Sequence, residues 1–240
     1  MKDKDKIAVF IDADNAPADR FDQVLTELAR SGVVNIRKAY GNWTKPNLAN
    51  WQVILHEYAI QPMQQFDLTK GKNASDIALV IDVMDVLHSK DIDIVCLVSS
   101  DCDFTPLVTR ILAEGKAVIG FGERKTPAPF VNSCSRFLYL EEEKNHQHEP
   151  EAINKSKDIR QDTRLIKLLR EAAIAVETEE GWAMLGPLGT HISNHTSFDQ
   201  RNYGFKKLSD LFRAIDLFEM KQTHGTVLWV RDKKRTKQSH

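Results

Sequence analysis

The sequence predicts an α/β fold with a mainly parallel sheet, followed by a small winged-helix domain. Three observations lead to this prediction. Short apolar runs alternate with helical patterns over residues 1–140, which is typical of strands joined by helical crossovers. Two of these apolar runs end in closely spaced aspartates, on the side of such a sheet where ligands bind. After a charged stretch, residues 160–240 change to short helices and a terminal hairpin.

Composition limits the kind of protein. Of the 240 residues, 42% are hydrophobic and 28% are charged, which allows one large domain or two smaller ones. The 33 basic and 34 acidic side chains give no overall attraction for a polyanion, but residues 160–240 hold 14 basic and 10 acidic groups, which favours an anion-binding module there. Three cysteines without CxxC spacing, no signal-peptide pattern and no membrane-length apolar run predict a reduced, cytoplasmic protein.

The elements of the first domain follow from apolar periodicity and turn residues. Pro17 fits an early position of the first helix, and Gly32 is expected to end it. Ser75 or Asp76 is expected to cap a third helix that runs to about His88. The expected strands are residues 7–11, 35–40, 60–66, 92–98, 117–121 and 137–140, and the remaining helices are 48–58 and 105–114.

The third helix has a predicted buried face and a predicted solvated face. Asp82 and Asp85 fall opposite the apolar positions, so we expect both in solvent. The expected buried residues are Ile77, Val80, Ile81, Met84 and Leu87.

The rest of the chain divides into a linker, a second domain and a tail. Residues 143–159 are charged and poor in apolar side chains, which predicts a linker. Three short helices and a hairpin within residues 160–232 form a winged-helix outline. Residues 233–240 form a basic tail.

Paired aspartates follow two of the predicted strands. Asp12 and Asp14 follow the first strand, and Asp101 and Asp103 follow the fourth. Carboxylates from separate strand ends can converge on a hard cation such as Mg²⁺, and without a cation they repel one another. With Asp76 they are the candidate metal-binding and catalytic residues.

Most of these aspartates also have a simpler alternative role as helix N-caps, namely Asp12 or Asp14, Asp76 and Asp103. Asp76 is the strongest example, because it stands beside Ser75 at a helix start. Two acidic pairs are more than two caps require, which favours the metal site. Cys102, between Asp101 and Asp103, is expected to be a small buried thiol.

Three polar residues near the acidic motifs are candidate substrate contacts. Asn15 and Ser100 are candidate orienting groups, and Lys72 is a candidate phosphate contact.

Three motifs resemble those of the NYN domain, a family of PIN-like nucleases, over residues 5–142. They are FIDADN at residues 10–15, KNASD at 72–76 and SSDCDF at 99–104. The resemblance implies an α/β/α sandwich and phosphodiester hydrolysis that depends on Mg²⁺ or Mn²⁺, most often of RNA. It implies Asp12, Asp76, Asp101 and Asp103 as the catalytic acids, with all but Asp76 as the expected metal ligands.

The second domain resembles the OST-HTH/LOTUS domain over residues 160–232, through GWAMLGPLG at 181–189 and YGFKKLSDL at 203–211. This resemblance implies a winged-helix module that binds RNA or docks protein partners. The candidate phosphate contacts are Arg201, Lys206, Lys207 and Arg213. Trp182 and Tyr203 are expected in its core.

The sequence therefore favours a metal-dependent ribonuclease acting on single-stranded RNA, and it leaves two rivals open. Asp12-Ala13-Asp14 also resembles the DxD nucleophile of haloacid-dehalogenase-type phosphatases, although Ala16 stands where that pattern has Thr or Val. The other rival is a non-catalytic RNA-binding or scaffold protein.

Overall fold

The computed structural model describes residues 4–66, 73–140, 159–223, 225 and 227–236. The chain forms two compact units, residues 1–142 and 143–240, and each has its own apolar core. Residues 143–158 of the predicted linker lie outside the described residues. Within the described ranges, no helix has both the length and the apolar character needed to cross a membrane.

The first unit is built on a parallel sheet. Its elements are β1 (Asp5–Asp12), α1 (Phe21–Leu28), β2 (Gly32–Gly41), α2 (Ala49–Ile54), β3 (Gln61–Gln64), α3 (Ala74–Ser89), β4 (Ile94–Val98), α4 (Thr105–Ala113), β5 (Ala117–Gly122), α5 (Ala128–Ser133) and β6 (Arg136–Tyr139). The six strands lie in the order β3-β2-β1-β4-β5-β6, and every neighbouring pair is parallel. The predicted α/β class is confirmed.

The strand order gives the sheet one topological switch point. β1 pairs with β2 on one side and with β4 on the other, so the crossovers leave β1 in opposite directions. In open α/β sheets, this is where ligands bind, beyond the carboxyl ends of the two strands. Both acidic pairs predicted from the sequence follow these two strands.

Both faces of β1 are buried, because its side chains alternate between two apolar cores. Val9 and Ile11 pack in the core that contains α1 and α2. Ala8 and Phe10 pack in the core that contains α3, α4 and α5. A strand with no polar face can only lie inside such a three-layer sandwich.

Gly32 has a different role from the predicted one. The first helix ends earlier, at Leu28, and Gly32 is the first residue of β2. A Cβ atom on Gly32 would lie 2.0 Å from the backbone oxygen of Asp5, its partner on β1. The residue is therefore required by the close approach of two strands and not by a helix end.

The predicted buried face of α3 was wrong for two of its five residues, while Leu87 is buried and Val80 and Met84 pack against the core as partly buried side chains. Ile77 and Ile81 are 61% and 57% exposed. Asp82, expected in solvent, is only 19% exposed at its side chain, while Asp85 is exposed as predicted. The helix is rotated toward Asp82 because that carboxylate binds two side chains of β2. The buried residues of the helix are Ser75, Leu79, Val83, Val86 and Leu87.

The second unit is a helical domain with a small antiparallel sheet. Its elements are α6 (Thr163–Val176), β7 (Ala183–Met184), α7 (Leu185–His195), α8 (Leu208–Ile215), β8 (Phe218–Thr223), β9 (Val227–Asp232) and α9 (Lys233–Thr236). The strand order is β7-β9-β8. The winged-helix outline is confirmed, with β7 as an unpredicted third strand. The basic tail begins as α9, and its Lys233 donates to Asp216 at 2.6 Å.

We predict that Gly32→Ala lowers the stability of the first unit by about 1–3 kcal/mol, because the new methyl group meets backbone that can move only with its strand. Gly189→Ala is the control. It lies within α7, where a Cβ atom would make an ordinary 3.5 Å contact with Leu208, so it should be neutral or slightly stabilising. Calorimetry of the full chain compares the two, and an unchanged transition in Gly32→Ala would contradict the assignment.

Candidate functional site

The two acidic pairs lie on neighbouring strands. Ile11 of β1 is paired with Val98 of β4, so the chain segments that follow leave the sheet side by side. Asp12 is the last residue of β1, and Asp101 begins the turn that leads from β4 to α4. The sheet thus brings together residues that are far apart in sequence.

Asp12 is a buried carboxylate that is held from two sides. Its side chain is 1% exposed, and its Oδ2 atom accepts hydrogen bonds from the Ser99 hydroxyl at 2.7 Å and from the Asn15 amide at 3.0 Å. Its Oδ1 atom is buried and has no hydrogen-bond partner within the described part of the chain. Burial raises the pKa of Asp12, although the bonds from Ser99 and Asn15 act in the opposite direction. A buried, unpartnered carboxylate oxygen is expensive unless a cation or a proton binds it.

The Asp101–Asp103 pair occupies a 3₁₀ turn formed by Cys102–Phe104. Asp101 is the N-cap of this turn, and its Oδ1 atom accepts the Asp103 backbone N–H at 2.9 Å. Capping therefore applies to Asp101, where the sequence had suggested Asp103. The Ser99 hydroxyl that donates to Asp12 also accepts the Asp101 backbone N–H at 3.0 Å, which connects the two acidic segments through one atom.

Cys102 is exposed, so the expected buried thiol was wrong. The turn points the thiol outward together with the flanking carboxylates. Potential ligand atoms of Asp101, Cys102 and Asp103 lie within 4.8 Å of one another.

Asp76 belongs to the acidic cluster and does not cap α3. The helix begins at Ala74 with Asn73 as N-cap, and Ser75 donates its hydroxyl to Asp14 at 3.2 Å. The pKa of Asp76 is raised to about 6, first by burial and then by the charges of the other four aspartates of the cluster. The contact between Ser75 and Asp14 places the first turn of α3, which carries Asp76, next to the end of β1.

The donor set fits a hard divalent cation. It consists of carboxylate oxygens. The Oδ1 atom of Asp12 is buried and unpartnered, and the pKa of Asp76 is raised. Mg²⁺ and Mn²⁺ prefer such ligands, and a cation would offset the repulsion. Asp12, Asp101 and Asp103 are the residues that would hold it.

The remaining predicted contacts of the first unit fall in different places. Asn15 supports Asp12, as described. Ser100 accepts the Glu123 backbone N–H at 2.9 Å and so connects the ends of β4 and β5. Lys72 lies outside the described residues.

The basic candidates of the second unit divide into paired and unpaired side chains. Arg201 donates to both carboxylate oxygens of Asp199, and Arg213 contacts Asp210 at 3.1 Å. Lys206 and Lys207 are exposed just before α8, and no carboxylate of the described residues pairs with them. The two lysines are therefore the better placed for phosphate.

A partly buried ion pair beside the site was missed from the sequence. Lys38 donates to both oxygens of Asp82 at 2.8 and 2.7 Å, and the Tyr40 hydroxyl donates to the same carboxylate. Lys38 and Tyr40 lie on one face of β2, and Tyr40 is the strand partner of Asp12. The pair therefore fixes α3, which carries Asp76, against the strand that flanks Asp12. A lysine and a tyrosine two residues apart in β2, and so on one face of that strand, were the available signal.

One histidine pair was also missed. His191 and His195 have HxxxH spacing on α7, and their rings stack with centroids 4.2 Å apart. Among the described residues, no third His, Cys, Asp or Glu joins them in a metal-ligand group.

Comparison with known proteins agrees with both resemblances. A family model described as the NYN domain matches residues 6–141, and one described as the OST-HTH/LOTUS domain matches residues 160–230. The two domains occur in the predicted order.

Two solved structures are similar to parts of the chain. A crystal structure of a protein of unknown function from Vibrio parahaemolyticus is 24% identical, with a TM-score of 0.49, and the match covers 59% of this chain and 96% of that one. A solution NMR structure of an uncharacterised protein from Nitrosomonas europaea is 27% identical, with a TM-score of 0.27, covering 39% and 88%. None of the curated proteins matches the chain.

We predict that Asp76→Asn raises stability in the absence of divalent ions at about pH 7.5. The folded-state pKa of about 6 lies above the usual 3.8, so between these values the folded chain holds more protons than the unfolded one, and stability falls as pH rises. Removing the charge should therefore gain about 1–2 kcal/mol after allowance for partial exposure. The gain should vanish below about pH 4. Calorimetry in chelator measures it, and a pH-independent difference would contradict the explanation.

We predict that Asp82→Leu destabilises the first unit by about 2–4 kcal/mol, because Lys38 is only 18% exposed and would lose its counter-charge. The double variant Lys38→Met/Asp82→Leu should recover most of the loss, since no unpaired charge remains. Urea unfolding tests this pair. Additive losses in the double variant would show that the two residues do not act together.

Proposed function

We propose that this chain, which belongs to the NYN domain family, is a metal-dependent ribonuclease that hydrolyses phosphodiester bonds of single-stranded RNA. The family makes it a nuclease-type enzyme, and the C-terminal OST-HTH/LOTUS domain is a module of an RNA-binding type. Dependence on Mg²⁺ or Mn²⁺ and specificity for RNA are the parts that we propose.

The observation that carries the proposal is the buried, unpartnered Oδ1 atom of Asp12, in a carboxylate that Ser99 links to the neighbouring Asp101 turn. Capping accounts for one oxygen of Asp101 but not for the buried, unpartnered oxygen of Asp12. A cation bound by Asp12, Asp101 and Asp103 would neutralise that oxygen and offset the charges that act on Asp76.

The residues divide the work in the following way. Asp12, Asp101 and Asp103 would hold the ion, which when bound would supply an activated water and offset charge on the phosphate. Ser99 and Asn15 fix the orientation of Asp12 through its Oδ2 atom. Lys206 and Lys207 bind RNA phosphates in the second unit, where such contacts add affinity without reading sequence.

Internally labelled and end-labelled single-stranded RNA, incubated with Mn²⁺, Mg²⁺ or chelator, tests the activity. We expect cleavage with a divalent ion and none in chelator. Hydrolysis of small phosphomonoesters without action on RNA would favour the phosphatase rival. RNA binding without cleavage under all metals would favour the scaffold rival.

We predict that Asp101→Asn lowers the rate of RNA cleavage by more than about a hundredfold, since even outer partners of metal ligands cost about 10- to 100-fold. Asparagine is as good an N-cap as aspartate, so the 3₁₀ turn should persist. Asp85→Asn is the matched control, because Asp85 is an exposed aspartate of α3 for which we assign no role. Equal cleavage by Asp101→Asn and wild type would refute the site assignment.

A further inference from the structure

The hairpin of the second unit has an outer face that the proposed site does not use. In the β8–β9 register, Met220 is paired with Val230, and Val230 is fully buried in the core. Side chains alternate along a strand, so the neighbouring pair Lys221–Trp229 lies on the opposite face. We call this surface, formed by Trp182, Lys221, Trp229 and Arg231, the outer wing face.

Lys221 is held in place by aromatic rings. Its Nζ atom lies 4.0 Å from the ring centroid of Trp182 and 5.9 Å from that of Trp229. No carboxylate in the described part of the chain pairs with it. A cation over an indole ring is attracted by the ring but keeps its charge, so it remains available to an anion.

Arg231 adds to the face without adding free charge. Its Cζ atom lies 4.5 Å from the Trp182 ring, and its Nε and Nη2 atoms donate to Glu219 at 3.1 and 2.6 Å. The carboxylate of Glu219 is thus neutralised by Arg231, and Lys221 leaves the face with a net positive charge. Trp182, expected in the core, is only half-buried.

Trp229 is a half-buried ring with a fixed orientation. Its Nε1–H donates to the Thr223 hydroxyl at 2.9 Å, across the hairpin. A ring that is fixed before binding loses little conformational entropy when a ligand stacks against it.

We propose that the outer wing face binds single-stranded RNA, with Lys221 on a phosphate and Trp229 against a base. An unpaired ammonium group next to an oriented indole matches the two parts of one nucleotide. A duplex hides its base faces within the stack, so the rings favour a single strand. This inference rests on the proposed RNA-directed function and assigns it a contact surface.

The outer wing face is separate from the lysines named above. Lys207 and Leu228 line one cavity of about 540 Å³. None of the four residues of the outer wing face lines this cavity. Variants can therefore distinguish the two surfaces.

The test measures RNA binding by the full chain carrying Asp101→Asn, which is expected to slow cleavage. The probe is a fluorescent oligouridine of about 12 nucleotides, titrated in chelator between about 50 and 200 mM salt. Lys221→Met should weaken binding and reduce the slope of log K against log salt by about 0.7, the value for one phosphate contact with a single strand. Trp229→Leu should weaken binding about 5- to 100-fold and leave the slope nearly unchanged.

Lys167→Met is the charge-matched control, because Lys167 is exposed on α6 and pairs with Glu171 within the same helix. It should change neither affinity nor slope. Unchanged binding in Lys221→Met, or losses confined to Lys206→Met and Lys207→Met, would overturn the inference. A duplex that competes as well as the single strand would also overturn it.

Failure of this inference and failure of the proposed function are distinguishable. If the wild type cleaves RNA and Lys221→Met binds RNA as well as its parent, only the RNA-binding role of the outer wing face is refuted. If Lys221→Met binds RNA more weakly and the wild type does not cleave RNA, the proposed nuclease activity is refuted and the RNA contact is supported. If Trp229→Leu fails to fold, as its melting would show, the surface lysine still decides the result.

Discussion

The mutual repulsion of aspartates at one edge of the sheet is the constraint on which the rest of the first unit depends. Burial and the charges of Asp12, Asp14, Asp101 and Asp103 together raise the pKa of Asp76. Lys45 offsets part of this charge, because its Nζ atom lies 3.8 Å from Asp14. Such a cluster works against the folded state at neutral pH. The surrounding structure must hold it in place, and a bound cation would relieve it.

The scaffold holds the cluster from three directions. The central position of β1 fixes Asp12, because the strand is buried on both faces and paired on both edges. Ser99 couples Asp12 to the Asp101 turn through two hydrogen bonds. The ion pair between Lys38 and Asp82 docks α3. Sheet, turn and helix thus each place one group, which is how a rigid fold builds a site from distant residues.

The sequence predicted the parallel sheet and the acidic motifs, because buried strands and strand-end aspartates are local patterns. It also predicted the hairpin of the second unit. It could not predict the rotation of α3, since the burial of Asp82 depends on Lys38 from another strand. It also could not predict why residue 32 is a glycine, since only the backbone of Asp5 on the neighbouring strand excludes a side chain there. Composition also does not show which basic side chains are free to bind an anion. In the structure Arg201 is paired with the carboxylate of Asp199, whereas Lys221 lies over the ring of Trp182 and keeps its charge.

The most direct measurement is a titration of the purified chain with Mn²⁺, in which the electron paramagnetic resonance signal of the free ion reports how much is bound. Wild type and Asp85→Asn should bind the ion alike, because Asp85 is exposed and lies outside the cluster. Asp12→Asn should lose this binding, because the substitution removes the negative charge of the carboxylate whose Oδ1 atom is buried and unpartnered. Equal binding by a folded Asp12→Asn variant would contradict the account, because the aspartates at the strand ends would then not form the metal site.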